Sequence, residues 1–220
     1  MLANSVYVPV QMSAEFNLVT AQSAAPHSDS GGRLSTLVEQ LGIPENPRNW
    51  LPMTRELSAG KVLAELREGL IQNTEWPAIL QAAELTRRGY HRELLQLDQR
   101  FGRDLSPALA KASCCVGRHQ LARLRALRDQ QIIQRYLDAI ETGQARGWNP
   151  IVYGVVLAVF GIPLRQGLIH YATALLRNYA EQIAVNPTEA QRLLDESVLM
   201  LPESANQMLD SQPKSGLQIL

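Results

Sequence analysis

Asn149-Pro150-Ile151-Val152-Tyr153-Gly154-Val155-Val156-Leu157-Ala158-Val159-Phe160-Gly161-Ile162-Pro163 is the stretch that decides the fold. Asn149 offers a capping side chain, and Pro150 suits the first helical position, where its missing N–H would be unpaired anyway. Gly161 and Pro163 end what these residues begin. The helix between is apolar almost all round, so it belongs at the buried centre of a bundle or under a partner. Glycine inside a helix costs about 1 kcal/mol relative to alanine. Gly154, one turn before Ala158, therefore predicts a neighbouring helix packed backbone-close on that face. On this reading Gly154→Leu is destabilising and Gly154→Ala is mild. The run is too short to span a bilayer.

Working outward, the apolar period stays near 3.6 from Leu34 onward. Downstream, Pro163 starts a helix to about Val185 that buries Leu164, Leu168, Tyr171, Leu175 and Tyr179. Thr188 caps a last helix to about Met200. Upstream, Ser106-Pro107 opens a helix burying Leu109, Val116, Leu121, Leu124 and Leu127, and a second runs from Gln130 to Thr142. Earlier still, helices are expected over 34–41, over 57–72 (burying Val62, Leu63, Leu66, Leu70 and Ile71), after a Thr74 cap with Pro77 in the first turn, and over 92–101. Gly89, Gly102 and Gly143 act as stops. With no strand alternation in this region, the fold class is all-α: an antiparallel bundle of about eight to nine helices. Residues 1–33 read as a disordered leader, or as an arm in which Val6, Val8 and Val10 pair with a partner. Residues 34–201 form the helical domain, and 202–220 a flexible tail.

Composition narrows the function. The 220 residues hold 21 basic and 21 acidic side chains, 45% hydrophobic and 19% charged residues. A neutral chain lacks the cationic signature of nucleic-acid binding and favours association with proteins. Cys114 and Cys115, the two cysteines, are adjacent and fit a reduced chain better than a disulfide framework. The first basic residue is Arg33, so no positive n-region of a signal peptide precedes it. The expectation is a cytoplasmic protein without membrane or nucleic-acid partners.

The search for chemistry returns little. There is no phosphate-binding loop, GxGxxG, HExxH or GxSxG motif. Ser58-Ala59-Gly60-Lys61 reads as a helix start. The histidines are His27, His91, His119 and His170; His91 reads as solvent-facing. Cys115 and His119, at i,i+4, would give a metal only two ligands, and a buried Cys with a rim His is the simpler reading. Arg118, Arg123, Arg125 and Arg128 form a basic run: a solvated face, or a docking patch for an acidic partner. No catalytic, cofactor-binding or metal residue is assigned.

The quoted stretch resembles the urease accessory protein UreF family through Pro150, Tyr153, Gly154, Ala158, Gly161, Ile162 and Pro163. Leu168, Tyr171, Leu175 and Asn178 resemble its next helix. Glu93 to Leu97 followed by Asp98, and Leu105-Ser106 with Ala112-Ser113 to Gly117-Arg118, Leu121 and Leu124, resemble segments upstream. Gln191-Arg192-Leu193-Leu194 resembles the opening of the last helix. The family's N-terminal Pro-x-Gly-aromatic signature is absent, and its segment before the last helix is shortened to Asn186–Glu189. The resemblance covers about residues 57–200. It implies a non-enzymatic adaptor without cofactors in nickel insertion into urease. It also implies a homodimer that binds UreD (also called UreH), the GTPase UreG and the urease apoprotein. Structural or interface candidates are Pro150, Tyr153, Gly154, Ala158, Gly161, Pro163, Tyr171, Arg118, Gln191 and Arg192. A diverged UreF-like scaffold serving another assembly is the alternative.

Overall fold

In the computed structural model, residues 58–103 and 105–211 are described, and every regular element among them is helical. In order these are α1 (Ala59–Glu65), a π-helical stretch (Leu66–Glu75), α2 (Trp76–Arg87), α3 (His91–Arg100), α4 (Pro107–Arg123), α5 (Gln131–Glu141), α6 (Asn149–Val159), α7 (Leu164–Ile183), α8 (Pro187–Val198) and α9 (Leu201–Asp210). The all-α expectation holds. The leader, the 34–41 helix and the Val6–Val10 arm lie outside the described residues.

The division into helices does not hold as expected. Among the described residues the helices placed over 57–72 and after Thr74 are one continuous rod, α1–π–α2. Thr74 is no cap: its hydroxyl donates to the Gly69 carbonyl at 3.2 Å within the rod. The physical reason is Pro77. A proline inside an α-helix removes a hydrogen bond and clashes with the carbonyl four residues back. The wider π winding, in which Trp76 N–H reaches the Ile71 carbonyl, lets the rod pass through without breaking.

Other ends also differ. Ser106 caps α4 as expected, its Oγ accepting from Leu109 N, but α4 stops at Arg123. Asn186, not Thr188, caps α8: its Oδ1 accepts from Glu189 N at 2.9 Å, while the Glu189 carboxylate accepts from Val185 N. Residues expected to open the tail instead form α9, which buries Leu201 and Ala205. Val62, Leu66, Leu70, Leu109, Leu127, Leu164 and Leu175 are only partly buried, lying at the rims of their helices' apolar faces.

Helix α6 is the centre. Ile151, Val152, Val155, Val156 and Leu157 are fully buried, a gross contribution of about 10 kcal/mol at about 2 kcal/mol per side chain. Ile151, Val152, Val155 and Val156 join one apolar cluster with α2 to α5, whereas Tyr153 and Leu157 join a second built mainly on α1, α2 and α7 to α9. The two halves of the core meet on this helix.

Gly154 faces α2 as the sequence predicts, but more closely. A Cβ there would collide with the Ile79 carbonyl oxygen and lie 2.8 Å from Ala82 Cβ and 3.1 Å from Ala83 N. The obstacle is backbone, which cannot rotate away. The expectation that Gly154→Ala is mild is therefore corrected. Ala158, one turn on, is only half-buried. We expect Gly154→Ala to lower stability by about 1–3 kcal/mol and Gly154→Leu by more, despite the helix-propensity gain. Urea unfolding checks this, and an unchanged or raised midpoint for Gly154→Ala would contradict the packing.

Candidate functional site

The polar residues that the fold brings together surround the entry to α6. The segment 145–149 runs between α3 and α4, and its backbone amides are bonded by side chains. Asp98, on α3 and fully buried, accepts from Arg146 N at 2.5 Å, Gly147 N at 2.9 Å and, weakly, Trp148 N at 3.5 Å. Tyr136 on α5 donates its hydroxyl to the same carboxylate at 2.5 Å. Burial, with the Asp98 charge beside it, holds the Tyr136 phenol well above its ordinary pKa, so it remains a donor. The Trp148 indole N–H bonds the Asp98 carbonyl at 2.8 Å, and Phe101 packs edge-on to that ring.

Helix α4 closes the other side with one face. Ser113 Oγ accepts from Asn149 N at 3.2 Å, and Arg118 Nε donates to the Arg146 carbonyl at 2.8 Å. Between them, Gly117 brings the α4 backbone against the segment; a Cβ there would strike the Gly147 carbonyl and lie 2.8 Å from Asn149 N. Asn149 is not the cap of α6: Trp148 holds that position, and the Asn149 amide donates to the Tyr171 hydroxyl at 3.2 Å.

That bond leads into a buried polar line. The Tyr171 hydroxyl neighbours Glu75, at the end of the π stretch, and burial pushes the Glu75 carboxyl up to about 8 against the lowering effect of that hydroxyl. Glu75 Oε2 and Asn149 Oδ1 have no protein partner. Tyr153 packs on the Tyr171 ring at 4.9 Å and donates to the Gly167 carbonyl at 3.2 Å.

The structural or interface candidates thus divide. Pro150, Tyr153, Gly154 and Tyr171 are interior and support the fold. Gly161 and Pro163 are exposed at the α6–α7 turn. Gln191 and Arg192 are exposed on α8 and engage Asp195 and Glu196 one turn on. Arg118 reaches the segment before α6. The basic run splits where α4 ends, and Arg125 pairs with Glu141 of α5. Cys115, expected buried, is exposed, and Cys114 is partly buried. His91 is partly buried and its Nε2 has no partner, against the solvent-facing expectation. Among the described residues no cluster of three potential metal ligands occurs.

Sequence reasoning missed Asp98 as an anchor and Glu75 altogether. Both sit on apolar stripes: Asp98 follows Leu94 and Leu97, and Glu75 lies four residues after Ile71 and four before Ile79. An acid at a core register was the available signal.

A groove lies over this entry, between the first turns of α4 and Arg146. It has a volume of about 670 Å³, with Pro107 and Ala110 as an apolar wall and Lys111, Arg118 and Arg146 as cations. Cys114 and Cys115 also line it. Burial pushes the Cys114 thiol up to about 11, opposed by the nearby Arg118 and Arg146.

The profile of the UreF family matches residues 53–197, a span that takes in the rod and all but the last residue of α8. The chain belongs to the UreF family. That makes it a member of a family of urease accessory proteins. No curated protein matches it significantly. Among the described residues no helix is long and apolar enough to cross a membrane.

Glu75 gives a pH prediction. Its folded pKa lies above the unfolded value of 4.5, so its contribution to stability is fullest below about 4.5 and is lost as pH rises towards 8. We expect Glu75→Gln to gain stability relative to the parent across that window, by up to about 4 kcal/mol at the alkaline end. Chemical unfolding at pH 5 and pH 8 measures it; a difference that does not grow with pH would contradict the buried neutral acid.

Proposed function

We propose that this protein is an accessory subunit in urease maturation, assisting assembly of the nickel centre as a non-catalytic helical adaptor. On this reading it works in the cytoplasm as a homodimer, with a UreD/UreH-type protein, a UreG-type GTPase and the urease apoprotein. The observation that carries the proposal is the family match over residues 53–197, which takes in Asp98, the segment 145–149 and helix α6. The roles of the polar residues support it. Asp98 and Ser113 hold backbone amides, Tyr136 holds the Asp98 carboxylate, and Arg118 holds the Arg146 carbonyl through its Nε. Such a rigid helical body can present surfaces to partners, while GTP hydrolysis belongs to the GTPase and nickel is cargo bound for urease.

The test is complementation. In cells carrying urease and its accessory genes but lacking their own UreF, the full chain should restore nickel-dependent urease activity and co-purify with the UreD-type protein. Purified alone, it should not turn over GTP. Failure of both restoration and co-purification would favour a scaffold for another assembly.

A further inference from the structure

We propose that the groove between the start of α4 and Arg146 binds an acidic peptide segment of a partner protein, held by Lys111, Arg118 and Arg146. This deepens the adaptor reading and rests on it for the partner's role, though not for the binding itself.

The charge is local and, among the described residues, unpaired. In a chain of zero net charge, none of the described side chains lining the groove is acidic, whereas three are cationic. Arg67, Arg88, Arg125 and Arg192 elsewhere each pair with a glutamate. The three groove cations make no such pair among the described residues. Asp98, whose carboxylate lies at the Arg146 N–H, is occupied by backbone amides and Tyr136.

Two of the three cations are also held in place. Arg118 is fixed by its Nε bond to the Arg146 carbonyl, and the Arg146 guanidinium lies 5.9 Å from the Trp148 ring centroid. A guanidinium presents a planar fork matched to a carboxylate, and fixing it beforehand lowers the ordering cost of binding. The groove is open along its length, which suits an extended segment more than an enclosed small molecule. Pro107 and Ala110 offer apolar contact for side chains between the acids. The sequence pointed to an acidic partner through Arg118, Arg123, Arg125 and Arg128; the fold keeps Arg118 and replaces the others with Lys111 and Arg146.

The chain's two cysteines both line the groove, so a thiol reagent reports on it alone. The probe is a short fluorescein-labelled peptide alternating glutamate and alanine, with a glutamine-for-glutamate counterpart, followed by anisotropy on the full chain at low salt. Lys111→Glu combined with Arg146→Glu should weaken binding at least about tenfold, while Arg123→Glu with Arg128→Glu, the same charge change outside the groove, should weaken it far less. On the unmutated chain, modification with a bulky maleimide should block the peptide, and the peptide should slow that modification. Equal losses in both double variants, equal binding of the glutamine peptide, indifference to the maleimide, or displacement by inorganic phosphate at the peptide's own concentration would overturn the proposal. Peptide binding by a chain that fails to activate urease would remove the adaptor reading and leave the site. Urease activation that is unaltered in the Lys111/Arg146 variant would remove the site alone.

Discussion

Four consecutive backbone N–H groups, at residues 146–149, are satisfied by two side chains from different helices. Asp98 takes the first three and Ser113 takes the fourth. Unpaired buried amides are costly, so this segment has one low-energy path, and that path sets the direction in which α6 enters the core. Everything apolar then depends on α6, because its residues belong to both halves of the core. Gly117 and Gly154 are the steric counterparts of this anchoring. One admits the segment against α4, and the other admits α2 against the helix that follows.

The parts of this arrangement legible in the sequence were those carried by periodicity and by glycine. The central burial of 151–157, the close approach at Gly154 and the stops at Gly89, Gly102, Gly143 and Gly161, all left-handed, follow from local rules. The parts that were not legible depend on residues far apart in sequence. Asp98 meets its amide partners nearly fifty residues on, so no local pattern distinguishes it from a surface acid. Asn149 looked like a cap because asparagine before proline usually is one; a tertiary partner, Tyr171, took its side chain instead. The π stretch was invisible for a similar reason. Thr74 and Pro77 spell a helix start, whereas the π winding carries the rod past them and places Ile71, Trp76 and Ile79 in one cluster.

The same economy shapes the functional picture. Interior candidates such as Tyr153 and Tyr171 serve the scaffold, whereas Arg118 and Arg146, on the surface, are positioned by the segment before α6. Arg118 and Arg146 are linked to each other through the segment that Asp98 holds. In a UreF-family protein, this couples the stability of the core to the geometry of one exposed groove. Damage to the anchor would then be felt at the surface before the fold is lost.

The central claim is that Asp98 fixes the path of 145–149 and through it the seat of α6. Amide hydrogen exchange on Asp98→Ala, read alongside urea unfolding, tests it most directly. The account predicts that residues 146–148 lose their protection and that α6 follows, with stability lower by at least about 2 kcal/mol because several buried donors lose their acceptor. Protection of 146–148 and α6 matching the parent, with an unfolding free energy within about 0.5 kcal/mol of it, would contradict the claim.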